Sequence, residues 1–395
     1  MLDSAVRQIV KATAPVLETH GVALTRHFYA RMFDHNPELR EIFNQGHQRN
    51  GSQQHALAMA VAAYARHIDD PSVLAPVLER ITHKHVSLGI RAEHYGVVGR
   101  HLLASIVEVL GEAATPDVVD AWAQAYGQLA DLLIAQEKVL YQSATEQQGG
   151  WTGWRTFRVA AKRAESEEIT SFELQPADGG VVPSFRPGQY ISLRVLVPEL
   201  GHRQARQYSL SDAPGKSCLR ISVKREDGVE LSPPGMVSNY LHQQIQEGDF
   251  VELAAPNGDF YLHEDRNTPV VLISAGVGIT PMMSMLEHLN ATGTRRTVRF
   301  YHAARHGQAQ AFATRVRNVV QALPQASAWF VHEAGQDGDE QGRLDLSRHV
   351  LPAEADHYVC GPQGFMTAQI AALRAQGVPA ERIHAEAFGT GGVAG

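Results

Sequence analysis

Cysteine is almost absent from the sequence: Cys218 and Cys360 are the only two in 395 residues. They lie far apart without metal-type spacing, so neither a disulfide framework nor a zinc site is expected, and a reducing compartment fits. A basic excess is missing as well. Lysine and arginine number 35 against 42 aspartates and glutamates, a formal net charge of −7. That leaves no surplus cation for a phosphate backbone, and nucleic acid is not an expected partner. Long apolar runs are lacking too. The most apolar stretch, VVLISAGVGITPMMSML at 270–286, is broken by glycine and proline and falls short of a membrane span. The opening residues MLDSAVRQIV do not set a basic stretch before an apolar one. The expectation is a cytoplasmic protein with no integral membrane segment.

What is present is a globular composition, 44% hydrophobic and 19% charged, in a chain too long for one core, so two or three domains are expected. Residues 1 to about 143 read as helices, with breaks at Pro37, Asn50-Gly51, Pro71 and Pro116, which predicts an all-α domain over 1–147. After TEQQGGWTGW the texture changes to short alternating segments, FRVAAKR, ITSFELQP and GQYISLRVLV, divided by proline and glycine turns. These predict an antiparallel β domain over 151–265. Over 266–395 the apolar runs PVVLISAG, VRFYHAA, AWFVHE and HYVCGP alternate with helical stretches, the rhythm of a parallel α/β sheet. No internal repeat or low-complexity tract is present.

Among 20 histidines, the two in ITHKHVSLGI (81–90) invite a choice. On a helix the apolar positions Leu74, Val77, Leu78, Ile81 and Leu88 form a stripe that passes through His85, which is expected to face the core while His83 faces outward. Taken alone, such a histidine is ordinary core filling. Two other helices carry misfits of the same kind. The stripe Val98, Leu102, Ile106, Val109 begins at Tyr95, and the stripe Tyr126, Leu129, Leu133, Leu140 passes through Glu137. A carboxylate on an apolar face needs a partner, because unpaired burial costs several kcal/mol. If it accepted a proton from one imidazole nitrogen, the other would be left to bind a metal; the alternative is a Glu137 that reaches the surface near its helix end. Elsewhere Tyr29 stands beside the stripe Leu24, Phe28, Met32, and Gln53 starts the stripe Leu57, Ala60, Val61, Tyr64. Two hydrogen-bonding side chains thus enter an apolar pocket, although a tyrosine at a stripe edge is also ordinary packing.

HFYARMFDHNPELREIFNQ, YARHI, THKHVSLGI, HYGVVGRHLL and AWAQAYGQLAD resemble the globin domain of bacterial flavohaemoglobins, and the likeness runs over nearly the whole chain. It implies that His85 is the proximal ligand of haem b, tuned by Tyr95 and Glu137. It also implies that Phe43 packs on the haem and that Tyr29, Gln53 and Leu57 form the distal pocket. Lys84 would face the flavin domain near Glu386; the plainer reading is a solvated cation.

In the second domain FRPGQYISLRV precedes RQYSLSD, where strand alternation sends Arg206 and Tyr208 to one face and Gln207 and Ser209 to the other. In GMVSNYLH, Ser238 is the expected N-cap, leaving free amides after Gly235 as an anion site. These motifs resemble the FAD-binding barrel of ferredoxin-reductase-like proteins. The likeness implies that Tyr190, Arg206, Gln207, Tyr208 and Ser209 hold FAD, and that Val237 and Ser238 meet its pyrophosphate. In the third domain the turn Gly276-Val277-Gly278-Ile279-Thr280-Pro281 reads as a phosphate cradle, though it is not the G-x-G-x-x-G fingerprint. HYVCGPQGFM ends a strand at Cys360-Gly361-Pro362, which the reductase family places beside the nicotinamide. HAEAFGTGG resembles the family's terminal motif and puts Ala387, Phe388, Gly389 and Thr390 at the flavin and Glu386 near the flavin–haem junction. Three features depart from the pattern: Thr390 replaces a usual proline, Ala385 a common aromatic, and the loop EDGVELSPPG is long.

The resemblance implies an NAD(P)H-dependent nitric oxide dioxygenase with haem b, FAD and NADH or NADPH. Electrons would pass from the nicotinamide through FAD to haem, where NO and O2 become nitrate. Two other functions stay open: an oxygen-binding or gas-sensing haemoprotein whose reductase keeps iron ferrous, and an NAD(P)H oxidase or flavin reductase. A monomer is expected, with a distal pocket able to accept a lipid or an azole. The choice between NADH and NADPH is open; Arg305, after VRFYHAA, is a candidate for a 2′-phosphate contact or a plain surface arginine.

Overall fold

Helix α1 (Ser4–His35) starts where Asp3 accepts a hydrogen bond from the Ala5 amide at 2.9 Å and runs through Pro15. It stops at Asn36, because the residue before Pro37 is driven out of the helical region. The computed structural model describes residues 2–43, 52–228, 233–352 and 354–388, without the side chains of 17, 18, 52 and 53. Helices α2 (Ser52–Arg66), α3 (Ala75–Leu88), α4 (Ala92–Leu110) and α5 (Pro116–Glu146) follow. Pro71 opens a 3-10 turn and Pro116 is the first residue of α5, as the sequence indicates; the expected break at Asn50-Gly51 lies outside the described residues. Phe28 and Met32 of α1, Leu78 of α3, Leu102 and Ile106 of α4, and Trp122 and Leu133 of α5 share one core. No helix among the described residues is long and apolar enough to cross a membrane.

The chain divides into two compact units, one of Met1–Glu146, Trp151–Gly153 and Arg194–Arg206, the other of Gln147–Gly150, Trp154–Leu193 and Gln207–Gly395. A six-stranded sheet has the order β4-β3-β6-β1-β2-β5, formed by β1 (Arg155–Ala164), β2 (Ile169–Pro176), β3 (Tyr190–Val197), β4 (His202–Ser209), β5 (Leu219–Lys224) and β6 (Phe250–Leu253). The pairs β1–β2, β1–β6 and β2–β5 are antiparallel. An antiparallel bridge between Leu210 and Ile221 joins the chain just after β4 to β5, so the two ends of the sheet meet as a barrel. Alternation buries Phe157, Leu174, Leu193 and Ile221 inside it.

The second sheet, β10-β9-β8-β7-β11-β12, is parallel throughout. Its strands are β7 (Val270–Ala275), β8 (Val298–Ala304), β9 (Ala326–His332), β10 (Glu340–Gln341), β11 (Asp356–Cys360) and β12 (Ile383–Glu386). All six residues of β7 are buried, because both faces are covered: Val270 and Leu272 join one apolar cluster, Val271 and Ile273 the other. From β7 the chain builds outward through β8 and β9, then returns to place β11 on the other side of β7. The strand order therefore reverses between β7 and β11, which is where such sheets bind ligands, at the carboxyl ends of the strands.

Candidate functional site

His85 lies on the last turn of α3, where its Nδ1 is 2.8 Å from Glu137 Oε1 and 2.9 Å from the Tyr95 hydroxyl. Tyr95 donates to the same Glu137 oxygen. A carboxylate only accepts, so the imidazole carries its proton on Nδ1 and turns a lone pair at Nε2 the other way. Nε2 has no hydrogen bond from a described residue. Glu137 is 2% exposed, which disposes of the alternative that it reaches the surface. Burial first, then the bond to Glu137, push the Tyr95 phenol up, so it remains a donor.

The helical phase needs a correction. The face of α3 pressed into the core is Leu78, Thr82 and Val86, while His85 and His83 are both half-buried and Val77 of the expected stripe is 49% exposed. His85 is thus at the border of the core, aimed by polar contacts rather than held by packing. Sequence reasoning missed two of the residues that fix it. Thr82, one turn earlier, donates to Gln136 at 2.9 Å and ties α3 to α5. Tyr141, one turn after Glu137 on the same face of α5, donates to the Ile90 carbonyl at 2.5 Å and fixes the chain just past the helix. A tyrosine four residues from a buried glutamate was the available signal.

Tyr29 is 5% exposed, in edge contact with Phe43 at 5.6 Å and stacked on Phe33 at 5.9 Å. Leu57 packs half-buried against the same core. The side chain of Gln53 lies outside the description. No group of three His, Cys, Asp or Glu able to hold a bare ion occurs among the described residues. A single imidazole donor with a carboxylate behind it suits instead a metal whose other donors come with a prosthetic group, and so fits haem. Lys84 is half-buried on the same helix.

On β4, Arg206 and Tyr208 are half-buried while Gln207 is exposed and Ser209 buried, so the strand does send Arg206 and Tyr208 to a common face. Arg206 donates to the Ala205 carbonyl at 2.7 Å. Tyr190 begins β3, its ring over Gly258: a Cβ there would come within 3.0 Å of it, and φ +127° further requires glycine. The expected N-cap is wrong. Helix α6 (Met236–Gln243) is capped by Gly235, and Ser238 lies one turn inside, its Oγ donating back to the Gly235 carbonyl at 3.2 Å. The hydroxyl occupies the space a Cβ on Gly235 would need, at 2.5 Å. The amides of Val237 and Ser238 still belong to the unpaired first turn of α6, where an anion is favoured, so a flavin pyrophosphate fits.

The β7 turn and the β11 end fit each other closely. Gly276 has φ +53°, and a Cβ on Gly278 would meet the Cys360 carbonyl at 2.4 Å. A Cβ on Gly361 would press on the Phe365 ring at 2.9 Å and on Ala275 at 3.2 Å. The two glycine turns, with Val277, Pro362 and helix α7 (Ile279–Ala291), therefore close on one another at the switch point. Thr280 donates to the Val277 carbonyl at 2.9 Å, and Pro281 sits in the first turn of α7 without a missing partner. This bare-backbone cradle at a helix start is suited to a dinucleotide phosphate. Cys360 is fully buried, and burial, then the nearby Glu386, raise its thiol well above the ordinary range, so it is not a thiolate nucleophile. Glu386 pairs in register with Cys360, with Ala387 half-buried and Phe388 45% exposed beyond it; Gly389 and Thr390 lie outside the described residues.

Three family profiles match in this order: globin over residues 26–133, oxidoreductase FAD-binding domain over 156–261, and oxidoreductase NAD-binding domain over 272–370. A flavohemoprotein of Chromobacterium violaceum is 59% identical over 400 residues, covering 99% of this chain and 99% of its own. The crystal structure of flavohemoglobin from Malassezia yamatoensis with bound FAD and heme superposes with a TM-score of 0.89 at 29% identity, covering 98% of this chain and 100% of that one. The FAD/NAD-binding domain of a nitric oxide dioxygenase from Vibrio cholerae matches at 43% identity and TM-score 0.57, over 60% of this chain and 98% of its own. Aligned end to end with such relatives, and carrying all three domains in their order, the chain belongs to the flavohaemoglobin family, an oxidoreductase whose cofactors are haem, FAD and NAD.

Proposed function

We propose that this chain is an NAD(P)H-dependent nitric oxide dioxygenase that converts nitric oxide and dioxygen to nitrate, with working domain limits of 1–147, 151–265 and 266–395. The observation that carries the reading is the contact of His85 Nδ1 with Glu137 and Tyr95. A ligand held this way is anionic in character, which suits oxygen chemistry rather than plain storage. The name of the Vibrio cholerae relative supports the same activity. When bound, the three groups supply hydride, single-electron and dioxygen chemistry in turn, and one electron balances nitric oxide plus dioxygen to nitrate.

The residues divide the work. His85 presents Nε2 to the haem, and Glu137 and Tyr95 hold its ring and its proton. Tyr29 offers a hydroxyl from the other side of an apolar pocket that Phe43 and Leu57 keep dry, with Gln53 as a second polar contact. Arg206 balances pyrophosphate charge alongside the Val237 and Ser238 amides, while Tyr190, Gln207, Tyr208 and Ser209 hold the flavin ring. The Gly276–Pro281 turn takes the dinucleotide, and Cys360, Gly361 and Pro362 leave room for its nicotinamide. Ala387, Phe388, Gly389 and Thr390 cover the flavin, and Lys84 and Glu386 adjust its potential. The test is nitric oxide removal by the purified protein with NADH under air, set against His85→Ala. Rapid removal lost in the variant is the expected result. Slow removal by both proteins would mark a sensor, and NADH oxidation indifferent to nitric oxide and to the variant would mark a flavin reductase.

A further inference from the structure

Helix α6 has only eight residues, Met236–Gln243, little more than two turns. A helix this short does not hold itself, because the few hydrogen bonds it closes barely offset the cost of starting it. Its order, and with it the aim of the Val237 and Ser238 amides, depends on what fastens its two ends. At the amino end the Gly235 amide donates to the Glu226 carbonyl at 2.8 Å, and Asn239 Nδ2 donates to the same carbonyl at 2.7 Å. At the carboxyl end a lysine does the fastening. Lys162 Nζ donates to the carbonyl of His242, in the last turn of α6, and to that of Ile245 just past it, each at 2.7 Å. Both the donors and the charge suit this end, where helix carbonyls lack amide partners and the dipole is negative.

Strand β1 is built to deliver this lysine. Phe157 and Val159 point into the barrel, and unbroken alternation would send Ala161 after them. The register with β2 slips by one residue between Val159 and Ala161, so that Lys162 instead stands opposite the buried Phe172. A bulge of this kind re-aims a side chain. The ammonium lies 5.6 Å from the centre of the Phe172 ring, and the Lys162 amide is held by Glu247 Oε1 at 2.9 Å. His242 props the same end of α6: its Nε2 donates to the Val223 carbonyl at 2.8 Å, and burial holds the ring below its ordinary value, hence neutral.

We propose that Lys162 is a positioning residue for the flavin: by holding the carboxyl end of α6 it aims the free amides at the other end, and so supports the pyrophosphate without touching it. The two ends are about 12 Å apart at 1.5 Å per residue, too far for the ammonium to reach the anion itself. Its influence passes through the helix. The proposal rests on the flavin fit of this domain and not on nitric oxide chemistry.

The test uses the full chain with its haem, freed of flavin and titrated with FAD and with riboflavin, which has the same ring and no pyrophosphate; quenching of flavin fluorescence reports both. Lys162→Met keeps the reach of the side chain and removes its donors and charge. The dissociation constant for FAD is expected to rise about tenfold, the order of one charge-assisted hydrogen bond, while that for riboflavin stays within about twofold. Lys162→Arg, with a charge and two N–H groups for the two carbonyls, is expected to recover most of the loss. Lys162→Gln, which keeps a shorter neutral donor, carries the same comparison should the methionine variant not fold. An unchanged FAD affinity would overturn the proposal, and so would equal losses for FAD and riboflavin, which would make Lys162 a support of the barrel at large. A wild-type protein that binds FAD no better than riboflavin would overturn the pyrophosphate placement itself.

Discussion

His83 and His85 differ in what meets their rings. His85 has a buried carboxylate on one nitrogen, at 2.8 Å, and a nitrogen left over. Replacing Glu137 by Gln keeps the shape and removes the charge that makes the imidazole electron-rich. The iron–histidine stretching band of the ferrous protein should therefore move to lower frequency, and an identical Raman band would sever Glu137 from the ligand's electronics. Tyr29→Phe removes one hydroxyl from a ring that touches Phe33 and Phe43. A single hydrogen bond is worth about 0.5–1.5 kcal/mol, so dioxygen release should quicken roughly 2- to 13-fold in stopped flow; an unchanged rate would move the distal contact elsewhere. Tyr95 and Glu137 were legible in the sequence because each interrupts an apolar stripe. His85's half-exposed setting was not, since helical phase tells which side a residue faces but not how close the next helix comes. Ser238 misled for a related reason: its preference for the cap position lost to Gly235, whose missing side chain lets that hydroxyl fold back.

Two strands were read residue for residue, one from alternation and one from an apolar run: ITSFELQP is β2 and VRFYHAA is β8. Their order was not readable, because a buried run is equally apolar beside either neighbour. The reversal between β7 and β11, which brings the two glycine turns together, appears only once the strands are paired. The glycines at that reversal make its tolerance testable. An alanine at Gly278 would put a methyl group 2.4 Å from the Cys360 carbonyl oxygen, with backbone rather than a movable side chain in the way. Gly278→Ala should cost about 1–3 kcal/mol of stability and weaken NADH-driven ferricyanide reduction while leaving the haem spectrum alone. Full reductase activity at wild-type NADH affinity would show that the two turns can separate without harm.

Across the whole chain, histidines mark where acid would act. Burial lowers His302 from its ordinary value to about 3 and His357 to about 4, so both stay neutral in the folded protein. Unfolded, each takes up a proton once pH drops below about 6.5. The stability gained by keeping them neutral is complete above that value and is lost as pH falls toward the folded values, by about 1.4 kcal/mol per pH unit for each. Urea midpoints should drop between pH 7 and pH 5, and a flat profile would mean that neither ring is held neutral. The central claim is a reaction, and its product carries the record. Under ¹⁸O₂ with unlabelled nitric oxide and NADH, the protein should release nitrate bearing two labelled oxygens, with two nitric oxides consumed per NADH. Nitrite, nitrous oxide or unlabelled nitrate as the main product would contradict it.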